Sequence, residues 1–391
     1  YYYRIKAVLN GSADTVYSRK GSFKTFPTKD AEEEVSFAMS TGFNYESFYG
    51  IGKSENESPK TIQKIPASGI DHKMGFEAFE AVQALKVDFF IANGDIVYYD
   101  KPNNIKNLWA KDKDQMRAKW HRYFAMPRNR NLALSTPVYY LKDDHDYRFN
   151  DSDTTDIKFS EPSHRLGIEV FREQVPVTDP MDPSSQTYRS HRVGKHLQLW
   201  FVEGRDFRSP NAMEDDAEKT LWGIEQLEWL KQSILSSDAT FKIIVSPTPM
   251  IGPDDAYKKD NHTNPGGFQS EGKAFFRWLT EHNFSGNDVY FICGDRHWQY
   301  HSIHPTSFEE FSSGAFINQN ARSGRIPGDP KSTDPEKLLK VPYIQIKKYG
   351  GGFLHVKSSI DKGDPFLRFS FFDTVGNELY SIKKYKNIRN Q

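Results

Sequence analysis

Three short stretches of the chain concentrate the side chains that bind hard cations. The first runs from Asp88 through Asn93-Gly94-Asp95 to Tyr98 and Asp100, the second is Asp143-Asp144-His145-Asp146, and the third is Gly294-Asp295-Arg296-His297. Carboxylates, a phenol and imidazoles are donors for divalent or trivalent ions rather than for thiolate-seeking metals. A single Gly-Asp after a strand is ordinarily a turn or a helix cap. Asp143-Asp144-His145-Asp146 is harder to explain so, because three adjacent carboxylates repel one another unless a cation or a guanidinium neutralises them. The conjunction of the three stretches points to a metal site.

Elements that would position these donors can be read upstream of each. Val87–Ala92, Pro137–Lys142 and Asp288–Cys293 are short β-branched or aromatic runs, as are Val35–Ser40, Leu197–Glu203 and Phe241–Ser246. Helical periodicity is clearest at Gly75–Leu85, Asn104–Phe124 and Gly223–Leu235, with Leu227, Leu230 and Ile234 on one face. Strands alternating with helices argue an α/β layered fold, in which ligands collect at the carboxyl ends of the strands. After Gly294 strands follow at Tyr343–Ile346, Phe353–Lys357 and a closing pair, Phe366–Phe372 and Glu378–Lys384, around the turn Thr374-Val375-Gly376-Asn377. At the other end Tyr1–Val8 and Gly21–Phe26 alternate as strands joined by a Gly-Ser-Ala-Asp loop; two strands do not fold alone, so they read as the end of a β-domain.

Composition narrows the partners. With 52 basic and 52 acidic side chains in 391 residues, there is no global field to hold nucleic acid or an anionic membrane, and no stable nucleic-acid complex is expected. The single cysteine, Cys293, excludes an intrachain disulfide and a cysteine-rich zinc site. No apolar run approaches the roughly 18 residues of a membrane helix. The chain begins at Tyr1 without a methionine or signal-peptide pattern, which suggests a processed chain or part of a longer one.

The order Gly94-Asp95-x-x-Tyr98, Asp143-Asp144-His145-Asp146, Gly294-Asp295-x-His297 resembles that of the calcineurin-like metallophosphoesterases, and most closely their PhoD-like alkaline phosphatase branch. Further matches lie in Tyr3-Arg4, Gly21–Thr25, Phe37-Ala38, Gly204–Arg208 and the helix Gly223-x-x-Gln226-x-x-Trp229-Leu230. The resemblance implies a four-layer α/β/β/α metallophosphoesterase sandwich over residues 33–391. Residues 1–32 would be the C-terminal part of an N-terminal β-domain plus linker. It implies metal ligands at Asp95, Tyr98, Asp144, Asp295 and His297, with Asp95 bridging two cations. His145 would protonate or stabilise the leaving oxygen and Arg205 would clamp the phosphoryl oxygens. The implied reaction is hydrolysis of a small or polymeric phosphomonoester or phosphodiester by metal-activated water. Two or more ions are implied, calcium, magnesium or manganese, with iron possible, in a secreted or periplasmic protein.

The chain departs from the branch at the first strand. The branch commonly carries a Ser-Cys pair there, whereas Ala38-Met39-Ser40-Thr41 offers hydroxyls, leaving Asn44 or Asp71-His72 as substitutes. Val245–Met250 likewise supplies only hydroxyls where the superfamily has an isolated histidine. His301 and His304 read as surface or supporting residues, and Trp109, Trp120 and Trp298 as core or as a stacking rim. A noncatalytic module holding a phosphorylated glycan is the rival reading, motivated by Thr41. A carboxylate-pair glycosidase is a second, but it leaves the clustering with Tyr98 and two histidines unexplained.

Overall fold

Residues 1–8, 14–52, 65–103, 105–155, 162–179, 181–182 and 184–386 are described by the computed structural model. The N-terminal fragment is a broken hairpin in which β1 (Tyr2–Tyr3) pairs with β4 (Gly21–Ser22) and β2 (Lys6–Val8) with β3 (Thr15–Tyr17). Residues 11–13 of the expected loop, and Asn104 at the start of an expected helix, lie outside the described residues. Phe26 ties the fragment to the body by stacking on Tyr139 and meeting Phe89 edge-on.

Two large sheets follow. Strands β5 (Val35–Ser40), β6 (Phe89–Asn93) and β7 (Val138–Leu141) run parallel at one edge of the first, and the long antiparallel strands β15 (Gly352–Asp361), β16 (Asp364–Asp373) and β17 (Glu378–Tyr385) complete it. The second has the order β14-β12-β13-β11-β10-β9-β8, in which β9 (Leu197–Phe201), β10 (Phe241–Ser246), β11 (Val289–Cys293) and β13 (Glu309–Ser313) are parallel. β8 (Arg189–Val193), β12 (Gln299–Ile303) and β14 (Lys340–Ile344) are the antiparallel members.

Alternation along each strand sorts its side chains into separate apolar clusters. Phe37, Met39, Phe89 and Ile91 pack with Leu199, Phe201, Ile243, Val245 and Ile292, which fills the space between the sheets. The intervening Ala38, Phe90 and Ala92 face Phe48 of α1 (Tyr45–Tyr49), Phe79 of α3 (Ala78–Ala84), Trp120 and Tyr123 of α4 (Lys113–Ala125) and Phe171 of α6 (His164–Gln174). On the second sheet Trp200, Ile244 and Phe291 meet Leu230 and Ile234 of α7 (Ile224–Leu235) and Phe275, Phe276 and Leu279 of α8 (Gln269–Glu281). This partition is what two sheets packed face to face, each covered outside by helices, require.

Several elements differ from the sequence reading. The expected helix over 104–124 is a 3-10 turn at Lys106–Leu108 and then α4, which begins where the Asp112 carboxylate accepts from Gln115 N–H at 2.9 Å. β12 and β13 carry too many polar residues to show alternation. Their polarity is satisfied inside: the buried Glu310 carboxylate accepts from the backbone N–H groups of Met250 at 2.7 Å and Gly252 at 2.9 Å and from Tyr300 Oη at 2.7 Å.

Candidate metal centre

The carboxyl ends of the parallel strands of both sheets close on one point, and two glycines let them do so. A Cβ on Gly294 would stand 2.5 Å from the Asn93 carbonyl, and one on Gly94 2.5 Å from Asp143 Cβ. Asn93 Nδ2 donates to the Ser246 carbonyl at 2.8 Å, lacing β6 to β10. The residue after each glycine, Asp95 and Asp295, has a positive φ, 55° and 56°. Few residue types tolerate this region as well as aspartate, and it turns each carboxylate off its strand end.

Around that point stand Asp95, Tyr98, Asp144, His145, Asp295 and His297, all buried. Tyr98 Oη donates to Asp95 Oδ2 at 2.8 Å, and His297 Nε2 lies 3.2 Å from the same oxygen and 3.4 Å from Tyr98 Oη. Asp95, Asp144 and His145 each offer a ligand atom within 4.8 Å of the others. The Tyr98 and His145 rings stack at 4.2 Å. Asp146 does not face inward as a ligand; its oxygens accept from Ile96 N–H at 3.0 Å and Asp143 N–H at 2.7 Å, binding the first two loops together.

The donor set fits cations. Among the described residues, Asp95 Oδ1 and Asp143 Oδ2 are buried with no hydrogen-bond partner, a costly state for a carboxylate oxygen unless a cation neutralises it. Burial pushes the Asp95 carboxyl well above the ordinary range, His145 opposes this, and the charges of Asp144, Asp143 and Asp146 add to it. Burial also resists charge on His145, yet Asp100, Asp144 and Asp95 outweigh it and raise its pKa to about 10. His297 is held neutral, well below the usual imidazole value, by burial and then by the Arg322 charge. A neutral imidazole is the ligand form.

Residues outside the sequence-predicted set support this centre. Asp100 Oδ1 lies 2.7 Å from His145 Nδ1 and fixes the ring. Asn320 Nδ2 donates to Tyr98 Oη at 2.8 Å. Arg296 pairs with Asp254 and Asp295. A second acidic group, Asp144, Asp151 and Asp260, adjoins the first, and Lys258 Nζ binds its Asp151 at 2.6 Å. Asp100 belongs to the first motif; Asn320 ends the 3-10 turn Asn318–Asn320, Asp260 and Lys258 lie in loops, and none of the three carries a periodic or motif signal.

Arg205 is fully buried, with Nε and Nη2 on Asp143 Oδ1 at 2.8 and 2.5 Å and Nη1 on the Ser152 carbonyl at 2.8 Å. Arg205, expected to clamp the phosphoryl oxygens, braces the Asp143 loop in this structure. Arg205→Met should therefore cost about 3–5 kcal/mol of stability by stranding a buried carboxylate. The check is a denaturant midpoint: Arg205→Met combined with Asp143→Leu should recover much of the loss, and a midpoint near wild type for the single variant would refute it.

Thr41 Oγ1 donates to the Gly94 carbonyl at 3.0 Å, so it braces the loop of Asp95. Asn44 caps α1 by accepting from Ser47 N–H at 2.9 Å, and Asp71 pairs with Arg128 at 2.7 Å, so both are engaged elsewhere. His72 meets Tyr49 edge-on. His301 lies between Glu309 and Tyr380, and His304 stacks on Phe276. Trp120 and Trp298 are core residues, and Trp109 Nε1 donates to the Pro102 carbonyl at 3.0 Å.

Among solved structures, the chain is similar to PhoD, with a TM-score of 0.67 at 17% identity, covering 94% of this chain and 72% of that one. It is also similar to the purple acid phosphatase PPD1 of yellow lupin (Lupinus luteus) seeds, with a TM-score of 0.61 at 13% identity, covering 99% of this chain and 60% of that one. At such identities these likenesses show the fold. No curated protein matches in sequence. No helix among the described residues is long and apolar enough to cross a membrane. The model of the PhoD-like phosphatase family matches residues 64–345, which span all three motifs, and the chain thus belongs to that family and is a phosphoester hydrolase.

Proposed function

We propose that the chain hydrolyses phosphomonoesters or phosphodiesters at two or more cations held by Asp95, Tyr98, Asp144, Asp295 and His297. The observation that carries this is the partnerless buried oxygen of Asp95 among Asp144, His145, Tyr98 and His297. Cations there would stabilise charge on the phosphoryl oxygens and acidify the attacking water. The protein's own part is to hold the donors in place and to manage a proton. Asp100 holds Nδ1 of His145, which leaves Nε2 as the nitrogen able to serve the leaving oxygen. Exclusion of bulk water by the buried walls strengthens each of these interactions. We read residues 1–32 as the tail of a β-domain, and a secreted or periplasmic location from the family. Elemental analysis beside turnover of a chromogenic monoester and diester tests the proposal. Bound metal without turnover of either ester would favour the noncatalytic module.

Metal identity follows from the donors. With the Thr41 hydroxyl directed at the Gly94 carbonyl and Asn44 spent as a cap, the end of β5 supplies no anionic ligand. Trivalent iron needs anionic donors to offset its dehydration, while oxygen-rich sets suit calcium, magnesium or manganese. The purified protein should therefore be colourless, and Tyr98→Phe should leave its visible spectrum unchanged. A tyrosine-dependent visible band with near-stoichiometric iron would overturn this.

A further inference from the structure

Arg205 is sealed against Asp143, whereas the guanidinium of Arg322 stands beside the loop of His297. The segment Asn320–Arg322 touches the centre twice: Asn320 Nδ2 donates to Tyr98 Oη at 2.8 Å, and Arg322 N–H donates to the His297 carbonyl at 2.8 Å. The Arg322 guanidinium lies 5.5 Å over the Trp298 ring, whose other cationic neighbour is Arg296, also at 5.5 Å. Unlike Arg205 and Arg296, which are sealed, Arg322 keeps a side-chain exposure of 40%.

Its charge is only partly matched among the described residues: its carboxylate partner is Asp255, whose Oδ2 stands 3.8 Å from Arg322 Nη1. That carboxylate is already engaged by Arg325 and lies 3.8 Å from Arg296. Among the described residues, Arg322 Nε is buried with no hydrogen-bond partner. A guanidinium fixed by its own backbone to the His297 loop, stacked on an indole and short of acceptors is preorganised for an incoming anion.

We propose that Arg322 binds the free oxygens of the substrate's phosphoryl group and so makes the site favour phosphomonoesters over phosphodiesters. The inference rests on reading the buried cluster as a hydrolytic metal centre. A phosphodiester has two non-bridging oxygens and carries one negative charge. A phosphomonoester dianion has a third free oxygen and a second charge, so it offers the guanidinium one more acceptor and a stronger attraction. The Coulomb attraction to the cation also roughly doubles.

The test compares wild type, Arg322→Ala and Arg322→Lys in their metal-loaded forms, with mono- and diester kinetics, metal content and calorimetric binding of inorganic phosphate. Arg322→Ala should raise KM for the monoester and weaken phosphate binding by about tenfold, the loss of one charge-assisted contact, while diester KM stays within about twofold. Arg322→Lys should restore part of both through charge alone. Metal content should not change. Equal losses on both esters, or loss of metal in Arg322→Ala, would assign Arg322 to shaping the loop and overturn the proposal. If metal-loaded wild type turns over neither ester and binds no phosphate, the hydrolytic reading itself falls. Normal wild-type turnover with an unchanged ester ratio in Arg322→Ala overturns the Arg322 proposal alone.

Discussion

Asp95→Asn should reduce turnover by about a thousandfold or more, the several kcal/mol that metal charge contributes to phosphoryl transfer, and should do so without unfolding the protein. Asparagine keeps the shape and can still accept from Tyr98 Oη, so the strand-end loop has no reason to collapse. What it removes is the charge. In the metal-free protein that charge is a liability, because Asp95 is buried beside Asp143, Asp144 and Asp146 with Oδ1 partnerless. Two opposite effects on stability follow. Without metal, the Asn variant should melt at or above the wild-type temperature; with metal added, wild type should gain stability and the variant much less. Melting scans with and without chelator, run beside turnover of a monoester, read both effects. A variant that keeps the wild-type rate, or a wild type that turns over unchanged after chelation, would remove Asp95 from the chemistry.

Much of this centre is legible in the amino-acid sequence, for a local reason. Each principal donor follows an apolar strand within a few residues, and Gly94 and Gly294 mark where the chain turns off its sheet. The same locality accounts for what the sequence hides. Arg205 has Asp206 beside it and Glu203 two positions before it, yet its partner is Asp143, 62 residues earlier, and nothing in the neighbouring sequence reveals that pairing. Asn320, at the end of a 3-10 turn, and Arg322 follow β13 with neither periodicity nor a motif, so their approach to Tyr98 and His297 is purely tertiary. The fold shows a parallel division. Apolar strands such as β6 and β11 declare themselves, whereas β12 and β13 bury glutamates, a histidine and serines whose partners lie on other elements. Strand propensity carries no record of such satisfied burial.

The second large effect concerns His145, for which two roles compete. Its ring offers an atom within ligand distance of Asp95 and Asp144, which allows it to bind a cation, while Asp100 at 2.7 Å holds its Nδ1 as it would hold a proton donor. The paired carboxylate favours the proton donor, because Asp100 and the neighbouring acids raise the imidazole pKa to about 10. Bound cations would offset part of that pull and bring the value down towards neutrality, where proton transfer to a departing oxygen is most effective. His145→Ala should then lose about a thousandfold on alkyl phosphoesters and only about tenfold on nitrophenyl ones, since a basic leaving oxygen needs the proton and an acidic one hardly does. Asp100→Asn should show the same pattern more weakly, because it leaves the ring but loosens its orientation and its charge. Metal content should be unchanged in both. Equal losses on the two leaving groups would remove His145 from proton transfer, and a fall in bound metal on His145→Ala would place it among the ligands with Asp95 and Asp144.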